Sequence, residues 1–228
     1  MTPSPAAAPA PPAKKRVCIL ISGRGSNMMA LVEAARATGY PAEIAGVISN
    51  RPDAPGLNWA AENGVCAIAL DHKQFATRTA FEARLHGILM DLGTELICCA
   101  GFMRMLTGGF IDRWRDKQLN IHPSLLPSFP GLDTHQRAVD AGVKVAGCTV
   151  HFMRLEMDTG PIVGQAAVPV LSCDTAEDLA ARVLDAEHRL YPAALALVAS
   201  GKAVVESEKV VIREEVNLSP ALYSPMLV

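Results

Sequence analysis

The sequence predicts an α/β fold in which a mainly parallel, twisted sheet carries helices on both faces, with a Rossmann-like N-terminal half. Apolar runs of strand length alternate with segments of helix length through the first hundred residues. Turns rich in glycine or proline separate these runs, and a long amphipathic segment closes the second half. Alternation of this kind is typical of βαβ crossovers, which build parallel sheets.

The first half of the chain supplies the predicted parallel strands. The run Val17-Cys18-Ile19-Leu20-Ile21 has the composition of a buried strand, and a helix-compatible segment follows its loop up to about Ala37. Apolar residues at helical spacing predict a longer helix over 74–92. The other predicted elements are a strand at 44–49, a helix from the 50–56 turn to 63–64, and strands at 65–70 and 96–100.

The second half combines strands with longer polar loops. One strand ends with Asn120 and His122, just before a proline-rich loop. The amphipathic segment 175–199 predicts a long helix with Thr175 or Asp174 as its N-cap and a stop at Ser200-Gly201. The other predicted elements are a short helix at 135–141, strands at 147–152 and 162–169, a hairpin pairing 203–205 with 209–212, and an irregular end at 217–228.

Composition predicts one domain. The chain has 228 residues, of which 50% are hydrophobic, and this favours a filled core over disorder. No internal repeat is evident. We expect residues 1–15, rich in proline and alanine, to form a disordered leader and residues 16–205 to form a single domain. Residues 206–228 would add a C-terminal strand and tail packed on that domain.

Cysteine usage points to a reducing cytoplasm, and the charge balance argues against a nucleic-acid partner. The 21 basic and 23 acidic residues nearly cancel, so no broad positive field is available to attract nucleic acid. The 6 cysteines lack the paired spacings of zinc or redox sites and sit mostly in apolar runs, as in reducing compartments. No apolar run reaches the roughly 20 residues of a membrane span. We expect neither metal nor membrane, and a monomer or weak homodimer.

The loop after the first strand has the features of a phosphate cradle. Gly23 and Gly25 let backbone N–H groups approach an anion, Ser26 adds a hydroxyl, and a helix N-terminus follows. A dinucleotide site is less consistent, because Met28 replaces the third glycine and Ser49-Asn50 stands where an acidic residue would close the second strand. The pattern favours a monophosphate. A turn that only joins strand to helix is the alternative.

Asn120 and His122 lie two residues apart in the strand before the proline-rich loop. Residues i and i+2 of a strand share one face, so both side chains could address the same small polar group. Pro123 then interrupts regular pairing. Spacing alone is equally compatible with a strand-to-loop corner that holds an ordinary histidine.

Two further loops carry candidate site residues. The segment 101–106 follows a predicted parallel strand, where ligands bind in open α/β sheets, and its apolar side chains could hold a flat heterocycle. Asp158 precedes Thr159-Gly160-Pro161, a sharp turn that holds the carboxylate near the sheet. For the first loop the alternative is core residues with a solvated Arg104. For Asp158 the alternative is an ordinary turn residue.

Four segments together closely resemble the glycinamide ribonucleotide formyltransferases, within the wider formyltetrahydrofolate-using superfamily. The resemblance covers roughly 16–205 in order. The segments are Ile21-Ser22-Gly23-Arg24-Gly25-Ser26-Asn27, Ala100-Gly101-Phe102-Met103-Arg104, Asn120-Ile121-His122-Pro123-Ser124-Leu125-Leu126-Pro127 and Asp158-Thr159-Gly160-Pro161. The resemblance implies a formyltransferase-type α/β fold and a cytoplasmic enzyme of purine biosynthesis that uses 10-formyltetrahydrofolate as co-substrate.

The resemblance also implies a role for each matching residue. The substrate phosphate would bind at Gly25, Ser26 and Asn27, with Glu187 on the ribose side. Catalysis would fall to Asn120, His122 and Asp158. The folate would meet the tail-binding Arg78, the pterin-bordering Met103, Arg104, Met105 and Leu106, and the loop residues Arg154, Leu155, Glu156 and Met157.

These residue types suit direct formyl transfer. When an amine attacks the formyl carbon, negative charge develops on the formyl oxygen, and donors aimed there accelerate the step. The Asn120 amide and a protonated His122 would donate, with the Asp158 carboxylate favouring the protonated ring. Asp158 would also help to move the proton from the amine to the departing folate nitrogen, through water. Neither a metal nor a covalent enzyme intermediate is required.

One position departs from the pattern. Gly131-Leu132-Asp133-Thr134-His135 carries Asp133 where members of the family often have histidine, which would change the local charge and the pH profile. His135 and His151 are candidates for supporting the catalytic residues. Structural histidines bonded to the backbone are the alternative for both.

Three competing functions follow from the same motifs. Methionyl-tRNA formyltransferases share the transfer signature but add a C-terminal nucleic-acid-binding domain, whereas only a short stretch follows Val205 here. Formyltetrahydrofolate hydrolases add an N-terminal regulatory domain, for which residues 1–15 are too short. A nicotinamide-dependent oxidoreductase is the third alternative, and Met28 counts against it.

Overall fold

The computed structural model describes residues 13–213 and residue 224. A seven-stranded sheet forms its centre, in the order β3-β2-β1-β4-β5-β6-β7. The strands are β1 (Lys15–Ile21), β2 (Ala42–Ser49), β3 (Ala67–Ala69), β4 (Leu96–Cys99), β5 (Gln118–His122), β6 (Val145–Phe152) and β7 (Ile162–Pro169), with β8 (Ala203–Glu206) and β9 (Lys209–Ile212) in a separate hairpin. The helices are α1 (Ser26–Ala35), α2 (Pro55–Glu62), α3 (Arg78–Asp91), α4 (Gly108–Arg113), α5 (Thr134–Asp140) and α6 (Ala176–Ala199).

The predicted fold class is confirmed. Strands β3, β2, β1, β4 and β5 pair in parallel, and β6 and β7 extend the sheet in antiparallel orientation. The carboxyl ends of β1, β4 and β5 therefore meet at one edge of the sheet. Three of the four sequence motifs lie at the ends of these strands or in the loops that follow them, so they lie side by side at that edge. The fourth, which contains Asp158, lies in the loop between β6 and β7.

Two apolar clusters cover opposite faces of the sheet. Alternation along β1 places Val17, Ile19 and Ile21 on one face and Cys18 and Leu20 on the other. The first face packs against α1, α2 and α6, and the second packs against α3 and α4. Helices on both faces explain why β1 is a continuous apolar run.

Several predicted boundaries were wrong by a few residues. The helix predicted over 74–92 begins at Arg78, because the Thr77 side chain accepts from Ala80 N–H and ends an extended stretch, while a separate 3-10 turn covers His72–Gln74. The strand predicted at 65–70 pairs only over Ala67–Ala69. Helix α4 was not predicted, since its six residues include two glycines and are too few to show periodicity.

The C-terminal half agrees closely with the pattern. Thr175 is the N-cap of α6 and forms a reciprocal capping box with Asp178. The fully buried Tyr191 donates from its hydroxyl to the carbonyls of Cys99 and Leu119, which fixes α6 against the sheet. The predicted hairpin is present, with Ala203 opposite Ile212.

The predicted domain limits stay predictions. Strand β8 continues through Glu206, across the predicted boundary at 205. Most of the predicted leader, and the irregular end at 217–228 except residue 224, lie outside the described residues. Within the described part of the chain, no helix is long and apolar enough to cross a membrane.

Candidate active site

One face of β5 and β6 carries polar side chains where the rest of the sheet is apolar. Leu119 and Ile121 are buried in the cluster beneath α6, so Asn120 and His122 face the opposite side. Strand pairing sets Asn120 directly across from His151. Among the described residues, the apolar cluster on that side takes its helical members from α3 and α4 and none of its buried members from β5 or β6. The helices thus leave this part of the sheet to polar groups.

His122 and Asp158 form a buried pair on this face. His122 Nδ1 lies 3.4 Å from Asp158 Oδ2, and the two side chains are only 7% and 8% exposed. His122 Nε2 lies 3.0 Å from the carbonyl oxygen of Phe129. Both nitrogens of the ring therefore face oxygen acceptors, and only a doubly protonated imidazole donates to both. The structure brings together the two residues whose distance the sequence left open.

His151 connects Asn120 to the same carboxylate. Its Nε2 lies 3.4 Å from Asn120 Nδ2 and 3.8 Å from Asp158 Oδ1, and its Nδ1 lies 3.1 Å from the Phe152 carbonyl oxygen. Burial lowers the pKa of His151, against the opposing effects of the Phe152 hydrogen bond and the Asp158 charge. In the neutral ring Nδ1–H donates to Phe152 and Nε2 accepts from Asn120. One amide proton of Asn120 then remains for a ligand.

A loop with a narrow neck presents Asp158. At the neck, Phe152 N–H donates to the Pro161 carbonyl at 2.9 Å. A Cβ on Gly160 would lie 1.7 Å from the Phe152 carbonyl oxygen, so the neck requires glycine. Asp158 itself has φ 58°, a conformation that is strained for a residue with a side chain. Its carboxylate also accepts from Gly131 N–H at 2.9 Å, which holds it towards His122.

Helix α1 begins at a turn suited to an anion. Gly25 is the N-cap, with φ 72° in the left-handed region, and no described side chain caps the helix. The first turn also contains no acidic residue. Backbone N–H groups at this end, together with the positive end of the helix dipole, remain available for a phosphate. This conformation is compatible with a phosphate cradle at Gly25, Ser26 and Asn27, which stays a prediction.

Gly56 supports this loop from behind and was not predicted. Its N–H donates to the Gly23 carbonyl at 3.1 Å. A Cβ at this position would lie 2.6 Å from Ile21 Cδ1 and 3.0 Å from the carbonyl oxygens of Gly23 and Arg24. Only glycine therefore lets α2 approach the loop. The Pro55-Gly56 pair gave a turn signal in the sequence, but no signal of this contact.

Glu187 of α6 reaches the first turn of α1. Its carboxylate accepts from Asn27 Nδ2 at 2.7 Å, and the residue is 6% exposed. Burial raises the pKa of Glu187, and the Asn27 hydrogen bond opposes this only in part. Asn27 Oδ1 is buried without a hydrogen-bond partner among the described residues. The pair thus offers both an acceptor and an unused amide oxygen beside the phosphate cradle.

The loop after β4 presents apolar side chains to solvent. Met103 and Met105 are 70% and 58% exposed, which is unusual for large apolar residues, whereas Leu106 is buried. The Arg104 guanidinium lies over the Phe81 ring, 5.1 Å from its centroid. The exposed methionines are the part of this loop that can contact a flat ligand.

A buried polar chain ties this loop to the phosphate cradle. Met103 N–H donates to Ser22 Oγ at 2.8 Å, and Ser22 Oγ donates to Asn50 Oδ1 at 2.5 Å. His72 Nδ1 lies 2.8 Å from the Asn50 carbonyl oxygen. Ser22 and Asn50 are 3% and 2% exposed. Asn50, noted in the sequence only because it is not acidic, thus has a structural role that the sequence did not reveal.

Glu82 anchors the other end of the same loop. This residue of α3 is 4% exposed, and its carboxylate accepts from Thr107 N–H at 2.7 Å and from the Thr107 hydroxyl. Thr107 is the N-cap of α4. Glu82 therefore holds the junction between the apolar loop and α4, a contact across 25 residues that the helical pattern of α3 concealed.

The loop residues Leu155, Glu156 and Met157 are exposed. Met157 Sδ lies 4.0 Å from the position a Cβ on Gly131 would take, and Leu155 lies beside Gly108 of α4. Leu155 and Met157 are 65% and 52% exposed, so with Met103 and Met105 they form an apolar rim. Arg78 is exposed at the first position of α3.

Arg154 does not point its guanidinium at this rim. Its Nε donates to Glu208 Oε2 at 2.6 Å, its Nη2 to Asp116 Oδ1 at 2.7 Å, and its Nη1 to the Met153 carbonyl at 3.0 Å. The side chain is 10% exposed. The guanidinium of Arg154 is therefore bonded within the protein, and the folate-bordering role of this loop residue stays a prediction.

The two remaining candidates lie on the loop and helix behind His122. Asp133 is exposed, has φ 54° and starts α5 without capping it through its side chain. Burial lowers the pKa of His135, and the nearby His122 adds to this effect. In the described residues, no group of three or more histidine, cysteine and acidic side chains is arranged to bind a metal ion.

Known proteins of one family are similar to this chain. Residues 15–195 match the family model described as formyl transferase. The chain is 39% identical to the phosphoribosylglycinamide formyltransferase of Haemophilus influenzae, over 82% of this chain and 89% of that protein. A crystal structure of glycinamide ribonucleotide transformylase 1 from Symbiobacterium toebii has a TM-score of 0.86 at 47% identity, covering 88% of this chain and 95% of that one.

The chain is also similar to a part of larger proteins. It is 49% identical over 192 residues to the trifunctional purine biosynthetic protein adenosine-3 of Gallus gallus, covering 84% of this chain. The match spans only 19% of the length of that relative.

Proposed function

The chain belongs to the formyl transferase family, and we propose that it transfers the formyl group of 10-formyltetrahydrofolate to the amine of glycinamide ribonucleotide, a step of de novo purine biosynthesis. One observation carries the choice of acceptor. The cradle at Gly25, with the Asn27–Glu187 pair beside it, opens at the same sheet edge as the buried His122–Asp158 pair. A small phosphorylated sugar amine matches a site that joins an anion cradle to acid–base groups.

The phosphate and ribose of the acceptor would bind at the start of α1. Backbone N–H groups around Gly25, Ser26 and Asn27 would donate to the phosphate. The Glu187 carboxylate would accept from a ribose hydroxyl, since it lies one hydrogen bond from Asn27. Binding at both ends fixes the amine in a near-attack position, which supplies a large part of the acceleration in a two-substrate reaction.

The folate would lie between the two apolar surfaces of the rim. Met103 and Met105 on one side and Leu155 and Met157 on the other are more than half exposed, and together they suit a flat heterocycle. Arg78, at the exposed start of α3, would meet the acidic tail.

Asn120 would stabilise the charge that forms in transfer. As the amine nitrogen bonds to the formyl carbon, the carbonyl becomes an oxyanion, and the amide proton of Asn120 not used by His151 would donate to it. His122 would supply a second donor by exchanging its Phe129 carbonyl partner for the oxyanion. The intermediate collapses when the bond from the formyl carbon to the folate nitrogen breaks.

Asp158 would manage the proton. The attacking amine loses one proton and the departing folate nitrogen gains one, so the products are the formylated amine and tetrahydrofolate without net consumption of acid. The Asp158 carboxylate would accept the proton, directly or through water, and return it to the leaving nitrogen. The contacts of Asp158 with His122 and Gly131 hold it in place for both steps.

The proposal also includes the cellular compartment and the oligomeric state. All 6 cysteines are free, four of them buried, which supports a reducing compartment such as the cytoplasm. We further propose that the enzyme works as a monomer or weak homodimer on small molecules.

The test is an assay of the purified protein with 10-formyltetrahydrofolate and three acceptors. We expect tetrahydrofolate to form with glycinamide ribonucleotide, and not at a comparable rate with water or charged initiator tRNA. Faster turnover without the amine would assign a hydrolase instead. Turnover only with the tRNA would assign a methionyl-tRNA formyltransferase, and either result would overturn the proposal.

A further inference from the structure

Arg154 joins the loop that carries Asp158 to two distant parts of the chain. Its guanidinium donates to Asp116, in the turn between α4 and β5, and to Glu208, in the β8–β9 turn. A third nitrogen donates to the carbonyl of Met153, the residue before it. With the side chain 10% exposed and three nitrogens bonded, Arg154 is fixed at the N-terminal side of the loop.

Glu208 is placed by a turn that its residue type does not favour. Ser207 and Glu208 have φ 49° and 59°, the left-handed values of a two-residue hairpin turn that normally prefers asparagine and glycine. Glutamate at such a position is strained. Its carboxylate binds two arginines at once, Arg154 and Arg115, each at 2.6 Å. A side chain that the turn itself disfavours thus makes two ion pairs outside the hairpin.

The neck of the Asp158 loop has few other fixed points on this side. Met153 N–H donates to the Gln118 carbonyl at 2.9 Å, and the chain then leaves the sheet. Leu155 is largely exposed and lies only beside Gly108 of α4 among the glycines of the site, so its side chain is held on one side alone. Further along, the Thr159 hydroxyl donates to the Glu156 carbonyl at 3.1 Å and Gly131 N–H donates to Asp158, so Arg154 is the fixed point of the segment at its Met153 end.

We propose that Glu208 is a positioning residue of the transfer reaction, which acts through Arg154 to hold the 154–158 segment over the folate. The inference rests on the proposed function. It makes the β8–β9 hairpin a part of the working site, although it lies beyond the residues matched by the family model, and it assigns Arg154 to loop anchoring instead of to contact with the pterin.

Kinetics of Glu208→Gln test this proposal. The amide keeps the size but loses the charge that binds two arginines, so we expect KM for 10-formyltetrahydrofolate to rise about fivefold, the scale of two weakened ion pairs. KM for glycinamide ribonucleotide should stay unchanged, because the α1 cradle is remote from this contact. The matched control is Glu206→Gln, in the same hairpin, where the carboxylate pairs with Arg213 at 2.7 Å and should leave both KM values unchanged.

Amide hydrogen exchange gives a readout that does not depend on activity. Glu208→Gln should speed exchange in residues 155–159 while β1 and α6 exchange as before, and Glu206→Gln should not. In an Arg154→Met background, Glu208→Gln should have no further effect on KM for the folate, because the ion pair through which Glu208 acts is already absent.

Different results would contradict the positioning role of Glu208 and the proposed function. Equal folate KM and equal loop exchange in Glu208→Gln and the wild type would overturn the positioning role while leaving the formyl transfer intact. A wild-type enzyme without activity towards the amine would overturn the proposed function, and the exchange experiment would still decide whether Glu208 holds the loop.

Discussion

The two halves of the candidate site are built from different materials. The cradle at α1 consists of backbone N–H groups within the contiguous stretch 23–27, shaped by Gly25 in the left-handed conformation. The transfer centre consists of side chains. His122 lies at the end of β5 and Asp158 lies in the loop between β6 and β7, and the fold brings them together. Backbone binding sites depend on local conformation, whereas side-chain sites depend on the packing of distant segments.

This difference predicts how each half responds to substitution. Substitutions in the cradle should matter only where a new side chain blocks the backbone N–H groups. Such substitutions should weaken the binding of one substrate, the phosphorylated amine. In the transfer centre, even the exchange of one side-chain oxygen for nitrogen should lower the turnover number. Four substitutions test that contrast.

Asp158→Asn should have the largest effect. The amide keeps the shape and can still accept from Gly131 N–H, but it cannot accept the proton of the amine, so kcat should fall by about a thousandfold with little change in either KM. Asp140→Asn, on the exposed face of α5, serves as the control. A kcat within tenfold of wild type, measured by steady-state kinetics, would show that Asp158 only shapes its loop.

Gly25→Val should change binding instead. A Cβ here would lie 3.0 Å from Met28 Cε, and φ 72° disfavours a branched side chain, so the cradle would distort. Losing about 3 kcal/mol of hydrogen bonding to the phosphate corresponds to about a hundredfold rise in KM for glycinamide ribonucleotide. KM for the folate should be unchanged.

Gly39→Val is the matched control for backbone strain. Gly39 also has positive φ, 81°, but nothing lies within 4 Å of a Cβ there. It should lower the melting temperature as Gly25→Val does and leave both KM values as they are. Equal effects of both variants on KM would remove the phosphate role.

Glu187→Gln should separate binding from stability. Replacing the carboxylate weakens the bond to a ribose hydroxyl by about 1.4 kcal/mol, a tenfold rise in KM for the amine substrate. The folded protein should nevertheless become more stable at neutral pH. Burial raises the pKa of Glu187 above its unfolded value, so the wild type loses stability as pH rises through the folded pKa, and glutamine does not.

The pH dependence gives the sign of that effect. Below the unfolded pKa both variants carry a neutral group and should melt at similar temperatures. The melting temperature of Glu187→Gln should exceed that of the wild type increasingly as pH rises above this range. Asp185→Asn, on the exposed side of α6, should show no such gain, and a constant difference at all pH values would contradict the assignment.

Glu82→Leu should have the smallest of the four effects. It leaves the N–H and hydroxyl of Thr107 without their buried acceptor. The ordered conformation of the 101–107 loop should therefore lose about 1 kcal/mol of stabilisation, which corresponds to about a fivefold rise in KM for the folate. Glu82→Gln should remain near wild type, because its amide can accept from the N–H and donate to the hydroxyl. Identical kinetics of both variants would place the loop's support elsewhere.

The sequence determined most of the fold and the local half of the site. Apolar runs such as 17–21 appear as buried strands because helices cover both faces of a parallel sheet, and this burial is visible in composition. The left-handed turn at the start of α1 could be predicted because Gly25, Ser26 and Asn27 are neighbours in the chain, and their role as a phosphate cradle stays a prediction. Helix boundaries failed where a tertiary or capping contact decides them, as at Thr77 and at the short α4.

Which polar side chains meet depends on the packing of segments that are distant in the chain. The distance from His122 to Asp158, the link from Asn120 through His151, and the anchoring of the apolar loop by Ser22 and Glu82 all join segments far apart in sequence. Residue type did not reveal that the Arg154 guanidinium binds Glu208 and Asp116. An arginine in the sequence looks the same whether its side chain contacts a ligand or a neighbouring turn. The chain order specifies backbone shape through local sterics, but the partners of a polar group depend on which surfaces the folded core brings within hydrogen-bonding distance.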